Sequence, residues 1–274
     1  MVLQLSDRTG KLSSNSYQEL DYFIFCVTDD NYIENTYVTL HSFYQFNDLP
    51  VTVFVLGNKT DRFNEFPKVT VKYFELDFNA KHQFYANIKP VIAKLKIFDD
   101  SSHQYNLSFD TDTLFTGSIS DTLKEYQGTF IGVDEHEKHE INAGFIILKK
   151  TNFSLFERFK EFTTKHGLPN CPEQDFLNFI FKHDKSYLAT KYNVCYWTDK
   201  TFNSEPVMIH YADKIKPFYF NTVKYEYLNE FQFKLFKYYY TYCRYLTLSK
   251  EFREKLIVAE RKYELFSTLL HYHN

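Results

Sequence analysis

Short apolar runs alternate with amphipathic stretches along most of the chain. The first run, residues 22–28, is continuously apolar and rich in β-branched and aromatic residues, as in strands buried on both faces of a parallel sheet. Further strands are predicted at residues 50–56, 69–76, 105–109, 129–133, 141–148 and 206–210. Because helical patterns separate many of these runs, we predict an α/β fold with a mostly parallel central sheet covered by helices.

The stretches between the strands have the spacing of amphipathic helices. A helix after the first strand is predicted from an apolar stripe of Ile33, Tyr37, Leu40 and Tyr44. Asp29 and Asp30 precede this stripe, and we expect them to cap the helix. Further helices are predicted at residues 80–98, 152–165 and 172–181. Pro90 must either kink the first of these or mark its true start.

The two ends of the chain differ from its body. Residues 1–18 are polar and irregular and are interpreted as a flexible N-terminal arm, followed by a main domain at 19–221. Residues 222–274 are aromatic, carry more basic than acidic residues and predict a helical C-terminal extension. One of its helices has an apolar seam of Phe252, Leu256, Ala259, Tyr263, Phe266 and Leu270. This seam could face the core, pair with a second copy as a homodimer, or contact a membrane surface peripherally.

Composition restricts the class of partner and the compartment. A net charge of −3 over 274 residues argues against a nucleic-acid partner held mainly by charge. The four cysteines have no paired metal-type spacing, which fits buried thiols in a reducing compartment. The N-terminus has no secretory signal, and no apolar segment reaches the ~18–20 residues of a membrane span. We therefore expect a cytoplasmic protein that is not secreted, with peripheral attachment to a membrane as the open alternative.

A pair of carboxylates follows the predicted strand at residues 105–109. Asp110 and Asp112 are separated by Thr111, so on an extended segment both side chains point the same way. Two carboxylates beyond a strand end offer oxygen ligands to Mn²⁺ or Mg²⁺, which share their remaining positions with phosphate and water. Taken alone the motif is weak, since a surface Asp-Thr-Asp turn is commoner than a metal site. The apolar strand that precedes it favours the metal site.

A second candidate group lies near the end of the main domain. A predicted strand ends at His210, and Lys216 follows. Imidazole is a good ligand for Mn²⁺, and a lysine ammonium suits a diphosphate. Taken singly, a buried core histidine and a solvated lysine are the commoner arrangement.

Several short blocks of the sequence match the motifs of one protein family and occur in that family's order. They are residues 25–32 (FCVTDDNY), 109–114 (FDTDTL), 142–145 (NAGF), 173–178 (EQDFLN) and 210–218 (HYADKIKPF). In these blocks the chain resembles family 8 retaining glycosyltransferases of the nucleotide-diphospho-sugar transferase (GT-A) fold. The resemblance covers about residues 20–220, and the joint order is far more specific than any single block. It implies that the main domain is a catalytic UDP-sugar-binding domain.

The resemblance implies a UDP-sugar donor and a divalent metal, Mn²⁺ or Mg²⁺. It assigns to the nucleotide Val27, Asp29, Asn31, Tyr32, Asp110, Thr111 and Lys216. Asp29 and Asn31 would hold uracil and ribose, with Tyr32 stacked on the base. The metal ligands would be Asp110, Asp112 and His210. The metal would bridge both phosphates and stabilise UDP as the leaving group.

The resemblance also assigns the residues around the transferred sugar. These candidate catalytic residues are Lys94, Asn142, Glu173 and Gln174. Asn142 and Glu173 would bind sugar hydroxyls, and Gln174 would lie near the anomeric carbon. Because a carboxamide is a poor nucleophile, retention by same-face attack, with departing UDP accepting the acceptor proton, is expected rather than a covalent glycosyl-enzyme.

Two positions depart from the family pattern. Lys94 stands where the family commonly has arginine, so the charge is kept and the planar fork is lost. Asp213 stands where the family has glycine, and its carboxylate would repel a diphosphate unless it turns outward or Lys214 offsets it. Both departures concern turnover more than fold.

The expected function is transfer of glucose or galactose from UDP-glucose or UDP-galactose to a saccharide or protein acceptor. Three alternatives stay open at this point. One is a catalytically weak UDP-sugar-binding protein, and another is a self-glucosylating protein like glycogenin. The last is an unrelated metal-dependent nucleotidyltransferase or phosphatase, which would not account for the Asp-Asn-Tyr base site.

Overall fold

The computed structural model describes residues 20–78, 88–135, 139–195 and 205–212. Within them, nine strands are β1 (Tyr22–Asp29), β2 (Val51–Leu56), β3 (Val69–Tyr73), β4 (Tyr105–Phe109), β5 (Thr113–Phe115), β6 (Phe130–Asp134), β7 (Ile141–Lys149), β8 (Lys185–Leu188) and β9 (Met208–His210). The helices are α1 (Ile33–Phe46), α2 (Lys89–Asp100), α3 (Leu155–His166) and α4 (Pro172–Ile180).

Seven of these strands form the central sheet, in the order β3-β2-β1-β4-β7-β6-β8. The pairs β1–β2, β1–β4, β2–β3 and β6–β8 are parallel, whereas β7 runs antiparallel to both β4 and β6. The predicted α/β class and mostly parallel sheet are confirmed. The remaining two strands, β5 and β9, form a separate antiparallel pair.

Sequence periodicity missed two short strands and overextended a third. β5 and β8 were not predicted, since three or four residues are too few to show an alternating pattern. β3 ends at Tyr73 rather than at residue 76. Helix α2 starts at Lys89, so Pro90 marks the true start of the helix, where the missing amide proton is not needed.

The expected capping of α1 by Asp29 and Asp30 is wrong. The residue before the helix is Tyr32, and it provides no side-chain cap. The Asp29 carboxylate accepts a hydrogen bond from the Asn31 amide at 3.0 Å, and Asp30 accepts from the Asn58 backbone amide at 2.8 Å. Both aspartates therefore stabilise the loop beyond β1 instead of the helix.

The core lies on the two faces of the sheet. On one face α1 packs with β5 and β9, and on the other face α2, α3 and α4 pack together. Asp99 of α2 links two of these helices, because its carboxylate accepts from the first backbone amides of α3, Leu155 and Phe156. Within the described residues, no helix combines the length and the apolar character that crossing a membrane requires.

Three phenylalanines join α1, β4 and β5 directly below the Asp110 segment. Phe43, Phe109 and Phe115 are each fully buried. The Phe43 and Phe109 rings stack with centroids 5.6 Å apart, and Phe115 meets both edge-on at 5.1 and 5.2 Å. This aromatic trio fixes the strand end that carries the aspartates.

Phe109→Ala should lower the free energy of unfolding by about 3–5 kcal/mol, because it leaves a cavity among close-packed rings. Phe46→Ala is the control, since Phe46 of α1 is 46% exposed, and it should change stability by less than about 0.5 kcal/mol. Chemical denaturation of the purified variants measures both. Equal losses would show that the trio is not a packed centre.

Candidate functional site

Polar side chains from four strands of the sheet meet at one edge. β1 ends at Asp29, and its parallel neighbour β4 is followed by Asp110. β7 runs the other way, so Asn142 at its start lies at the same edge, as does Glu135 just after β6. The chain leaves β1 for β2 on one side of the sheet and returns to β4 on the other. Ligands of α/β sheets bind at such a switch point.

From the sequence we expected Asp110 and Asp112, the two aspartates of the Asp-Thr-Asp (DTD) motif, to lie on an extended segment. The structure shows that they do not. The chain bends at Thr111 and Asp112 before β5 begins. Backbone hydrogen bonds hold this bend from both sides, from the Asp110 amide to the Gly144 carbonyl and from the Tyr211 amide to the Asp112 carbonyl, each 2.9 Å long. The carboxylates converge through this bend and not through strand alternation.

His210 joins the two aspartates through the small sheet. β9 ends at His210, as predicted, and pairs with Thr113 of β5 just after the aspartates. The His210 Nε2 atom lies 3.5 Å from Asp110 Oδ2 and 3.4 Å from Asp112 Oδ1. One ligand atom from each residue lies within 4.8 Å of the others, so the three side chains face a single point.

This donor set fits a divalent cation. Two carboxylates and one imidazole suit Mn²⁺, and the carboxylates suit Mg²⁺, with room for phosphate oxygens in the remaining positions. Burial disfavours the charged imidazole, but the nearby Cys195 sulfur and Asp112 carboxylate outweigh it, so the pKa of His210 is raised. A metal bound here replaces that proton, as metal ligation requires neutral imidazole.

Space for the imidazole comes from a missing side chain. Gly144 of β7 lies against the His210 ring, and a Cβ atom at this position would overlap the ring Nδ1 and Cε1 atoms. The glycine also donates its amide proton to Asn142 Oδ1 at 2.9 Å. Gly144 therefore places the backbone of β7 between the metal group and Asn142.

Lys94 of α2 is buried between two carboxylates. Its side chain is 5% exposed, and its ammonium donates to Asp110 and, at 3.0 Å, to Glu173 Oε1. Burial lowers the pKa of this ammonium, but the two carboxylates outweigh burial and raise it. Burial also raises the pKa of Glu173, which Lys94 opposes. Lys94 stays charged and connects the metal group to the start of α4.

Gln174 and Asn142 form a second polar group beside Glu135. The Gln174 amide is held at both ends, since its oxygen accepts from the Ala143 amide at 3.0 Å and its nitrogen donates to Glu135 at 2.7 Å. Asn142 points its amide nitrogen to the same Glu135 carboxylate at 3.5 Å. Asn142 and Gln174 thus come together at Glu135, whereas Glu173 is linked to Asp110 through Lys94.

The predicted nucleotide residues follow β1 at the neighbouring strand end. Val27 and Asp29 are buried, Asn31 is exposed, and Tyr32 is half-buried at the start of α1. Thr111 is buried, and its carbonyl accepts from the Thr39 hydroxyl at 3.0 Å, which ties the DTD bend to α1. Lys216, Asp213 and Lys214 lie outside the described residues, as does the predicted C-terminal extension.

Solved structures share this architecture, although no family model and no curated protein matches the sequence. The galactosyltransferase LgtC in complex with donor and acceptor sugar analogs matches with a TM-score of 0.64 and 16% identity, over 85% of this chain and 99% of its own. The glycosyltransferase GlyE of Streptococcus pneumoniae TIGR4 matches with a TM-score of 0.62 and 16% identity, over 89% and 64%. The apo bifunctional glycosyltransferase WbbM gives 0.60 and 15%, over 88% and 52%.

The chain has the GT-A glycosyltransferase fold. At these identities the likeness concerns fold, and the fold expected from the ordered motifs is confirmed. This chain spans about two thirds of the GlyE chain and about half of the WbbM chain.

Within the GT-A fold, three polar residues of the site were missed by the sequence reasoning. They are Glu135, Asn193 and Cys195. Glu135 gave a usable signal, because it follows a predicted strand in the same way as Asp110 follows β4. Asn193 and Cys195 lie after a short 3-10 turn, where no periodic pattern points to a site. Burial raises the pKa of Cys195, and the neighbouring His210 opposes this shift.

Lys94→Met should lower the free energy of unfolding of this GT-A domain by about 3–5 kcal/mol, because it leaves two carboxylates without their buried partner. Lys96→Met is a matched control on the same helix. Lys96 is more exposed and pairs with Asp100 one helical turn later, so its loss should cost less than about 0.5 kcal/mol. Denaturant titrations compare the two, and similar losses would contradict the role given to Lys94.

Proposed function

We propose that this protein is a metal-dependent retaining glycosyltransferase that transfers glucose or galactose from a UDP-sugar to a saccharide or protein acceptor. The observation that carries the proposal is the convergence of Asp110, Asp112 and His210 within 4.8 Å at the sheet edge where β1 ends. A glycosyltransferase fold with such a group supports chemistry on a nucleotide diphosphate.

The metal group acts on the diphosphate in this proposal. A divalent cation, Mn²⁺ or Mg²⁺, supplies Lewis-acid stabilisation of the negative charge that develops on departing UDP. Asp110, Asp112 and His210 hold it, with Lys94 fixing the first carboxylate. Lys216 is proposed to neutralise the same charge.

The loop after β1 is proposed to select the base. Asp29 lies at the end of β1, Asn31 is exposed two residues later, and Tyr32 directly precedes α1. A carboxylate facing the uracil N–H and an aromatic ring stacked on the base would favour uridine over other nucleosides. Val27 and Thr111 line the same site in this proposal.

Asn142, Glu173 and Gln174 are proposed to bind the hexose and to set the stereochemistry. The Gln174 amide oxygen already accepts a backbone hydrogen bond, and an amide is a poor nucleophile. A double displacement needs a carboxylate nucleophile at the anomeric carbon, and the residue proposed to lie there is Gln174. We therefore propose same-face attack, in which the acceptor hydroxyl gives its proton to departing UDP and the acceptor oxygen bonds to the anomeric carbon.

The solved neighbours agree with this choice of substrate class. LgtC is a galactosyltransferase whose structure was determined with donor and acceptor sugar analogs, and GlyE and WbbM are glycosyltransferases. The proposal extends that chemistry to this chain through its own metal group and base site.

Asp112→Ala should lower UDP-sugar turnover by at least about a hundredfold, because the diphosphate loses its charge stabilisation. EDTA should have the same effect on the unaltered protein, and added Mn²⁺ should reverse it. Asp121→Ala, a change at an exposed aspartate that is not among the proposed site residues, is the control and should keep full activity. Full turnover by Asp112→Ala, or in EDTA, would remove the metal from the proposed function.

UDP should raise the melting temperature in the presence of Mn²⁺, because it binds only the folded state. GDP and ADP at equal concentration should raise it much less. Asp29→Ala should abolish the preference for UDP. Asp30→Ala should keep it, because the Asp30 carboxylate contacts Asn58 in the loop after β2. Thermal denaturation with each nucleotide measures the difference, and equal stabilisation by GDP would contradict the base site.

A further inference from the structure

The face of His210 opposite the aspartates meets a buried cysteine. The Cys195 sulfur lies 3.7 Å from His210 Nδ1, and both residues are buried. Two backbone contacts hold them side by side, since the His210 amide donates to the Val194 carbonyl at 2.9 Å and Val194 pairs with Ile209. The contact is therefore fixed by the pairing of this segment with β9.

Cys195 is also connected, through Asn193, to Asn142, one of the residues proposed to bind the hexose. Its sulfur lies 3.9 Å from Asn193 Oδ1. The Asn193 amide nitrogen in turn donates to Asn142 Oδ1 at 2.7 Å. A chain of contacts thus runs from Asn142 through Asn193 and Cys195 to His210, and all four side chains are buried.

The chemistry of a metal-binding imidazole gives this contact a direction. When His210 presents the Nε2 lone pair to a cation, its proton resides on Nδ1 and needs an acceptor. A thiol sulfur is a weak acceptor, and its own proton can be donated onward to an amide oxygen. The Asn193 oxygen lies on that side of the sulfur, and its amide nitrogen faces Asn142, so donors and acceptors alternate along the chain.

We infer that Cys195 is a positioning residue for the proposed metal site. Its sulfur accepts a hydrogen bond from His210 Nδ1–H. This bond fixes the tautomer and the ring orientation in which Nε2 faces Asp110 and Asp112. Asn193 extends this support to Asn142. The inference rests on the proposed function, because it concerns the cation that the three ligands would hold.

The test is the Mn²⁺ dissociation constant in the presence of UDP. It is measured from the electron paramagnetic resonance signal of the Mn²⁺ that remains free in solution. Cys195→Val keeps the apolar volume and removes the acceptor, so its Mn²⁺ dissociation constant should rise by about 10–100-fold. Cys195→Ser restores an acceptor and should recover part of that loss. With saturating Mn²⁺, kcat of the valine variant should approach that of the unaltered protein. This result would show that the substitution weakens Mn²⁺ binding and leaves the catalytic step unchanged.

Cys26→Ala is the control for loss of a buried thiol. Cys26 of β1 is fully buried, and this variant should keep the Mn²⁺ dissociation constant within about threefold, less than the change expected when a metal-binding histidine loses its hydrogen-bond acceptor. Melting temperatures of all variants separate a metal effect from a general loss of stability.

The outcomes distinguish the two proposals. Unaltered protein that binds no Mn²⁺ with UDP present would overturn the metal-dependent function and this inference with it. Unaltered protein that binds Mn²⁺, together with a valine variant that binds it equally well, would overturn only the role of Cys195. A serine variant as weak as the valine variant would overturn the acceptor role, because an oxygen acceptor at residue 195 would then fail to restore Mn²⁺ binding.

Discussion

The candidate site depends on the ion pairs that one buried lysine makes with two carboxylates. Lys94 comes from the middle of α2, yet its ammonium lies between the first metal-site aspartate and the carboxylate that opens α4. A charge this deeply buried persists only with partners, and so do the carboxylates it contacts. The positions of α2, β4 and α4 are thereby coupled to one another. This coupling links Asp110, one of the candidate metal ligands, to Glu173 at the start of α4.

The remaining parts of the site come from short, locally constrained segments. The small β5–β9 sheet carries His210 to the aspartates, and the DTD bend is tied to β7, to α1 and to the residue after β9. Below it, the phenylalanine trio prevents the strand end from moving. Rigid supports of this kind matter because cation ligands and sugar-binding groups must be in place before substrate arrives.

Much of the fold and part of the site could be predicted from the sequence for a physical reason. Strands buried on both faces are rich in apolar residues, so β1, β2, β4 and β7 were clear, and the aspartates at the ends of β1 and β4 fall at one edge. The predictions failed where the signal is three-dimensional. Nothing in the local pattern shows that Asp29 turns into its own loop, that Lys94 faces two carboxylates, or that Cys195 meets His210. Those contacts join segments far apart in the chain, and only packing defines them.

The glycine in β7 has a consequence for the order of assembly. Gly144 leaves a gap that the imidazole of a much later segment fills. Residues 205–212 are the last described segment of the chain, so the gap beside β7 is filled by a part of the protein that is synthesised after the rest of the sheet. The candidate metal ligands come together only when this segment pairs with β5 through the three-residue strand β9. A cation that binds Asp110, Asp112 and His210 together therefore also fastens this late segment to the body of the protein.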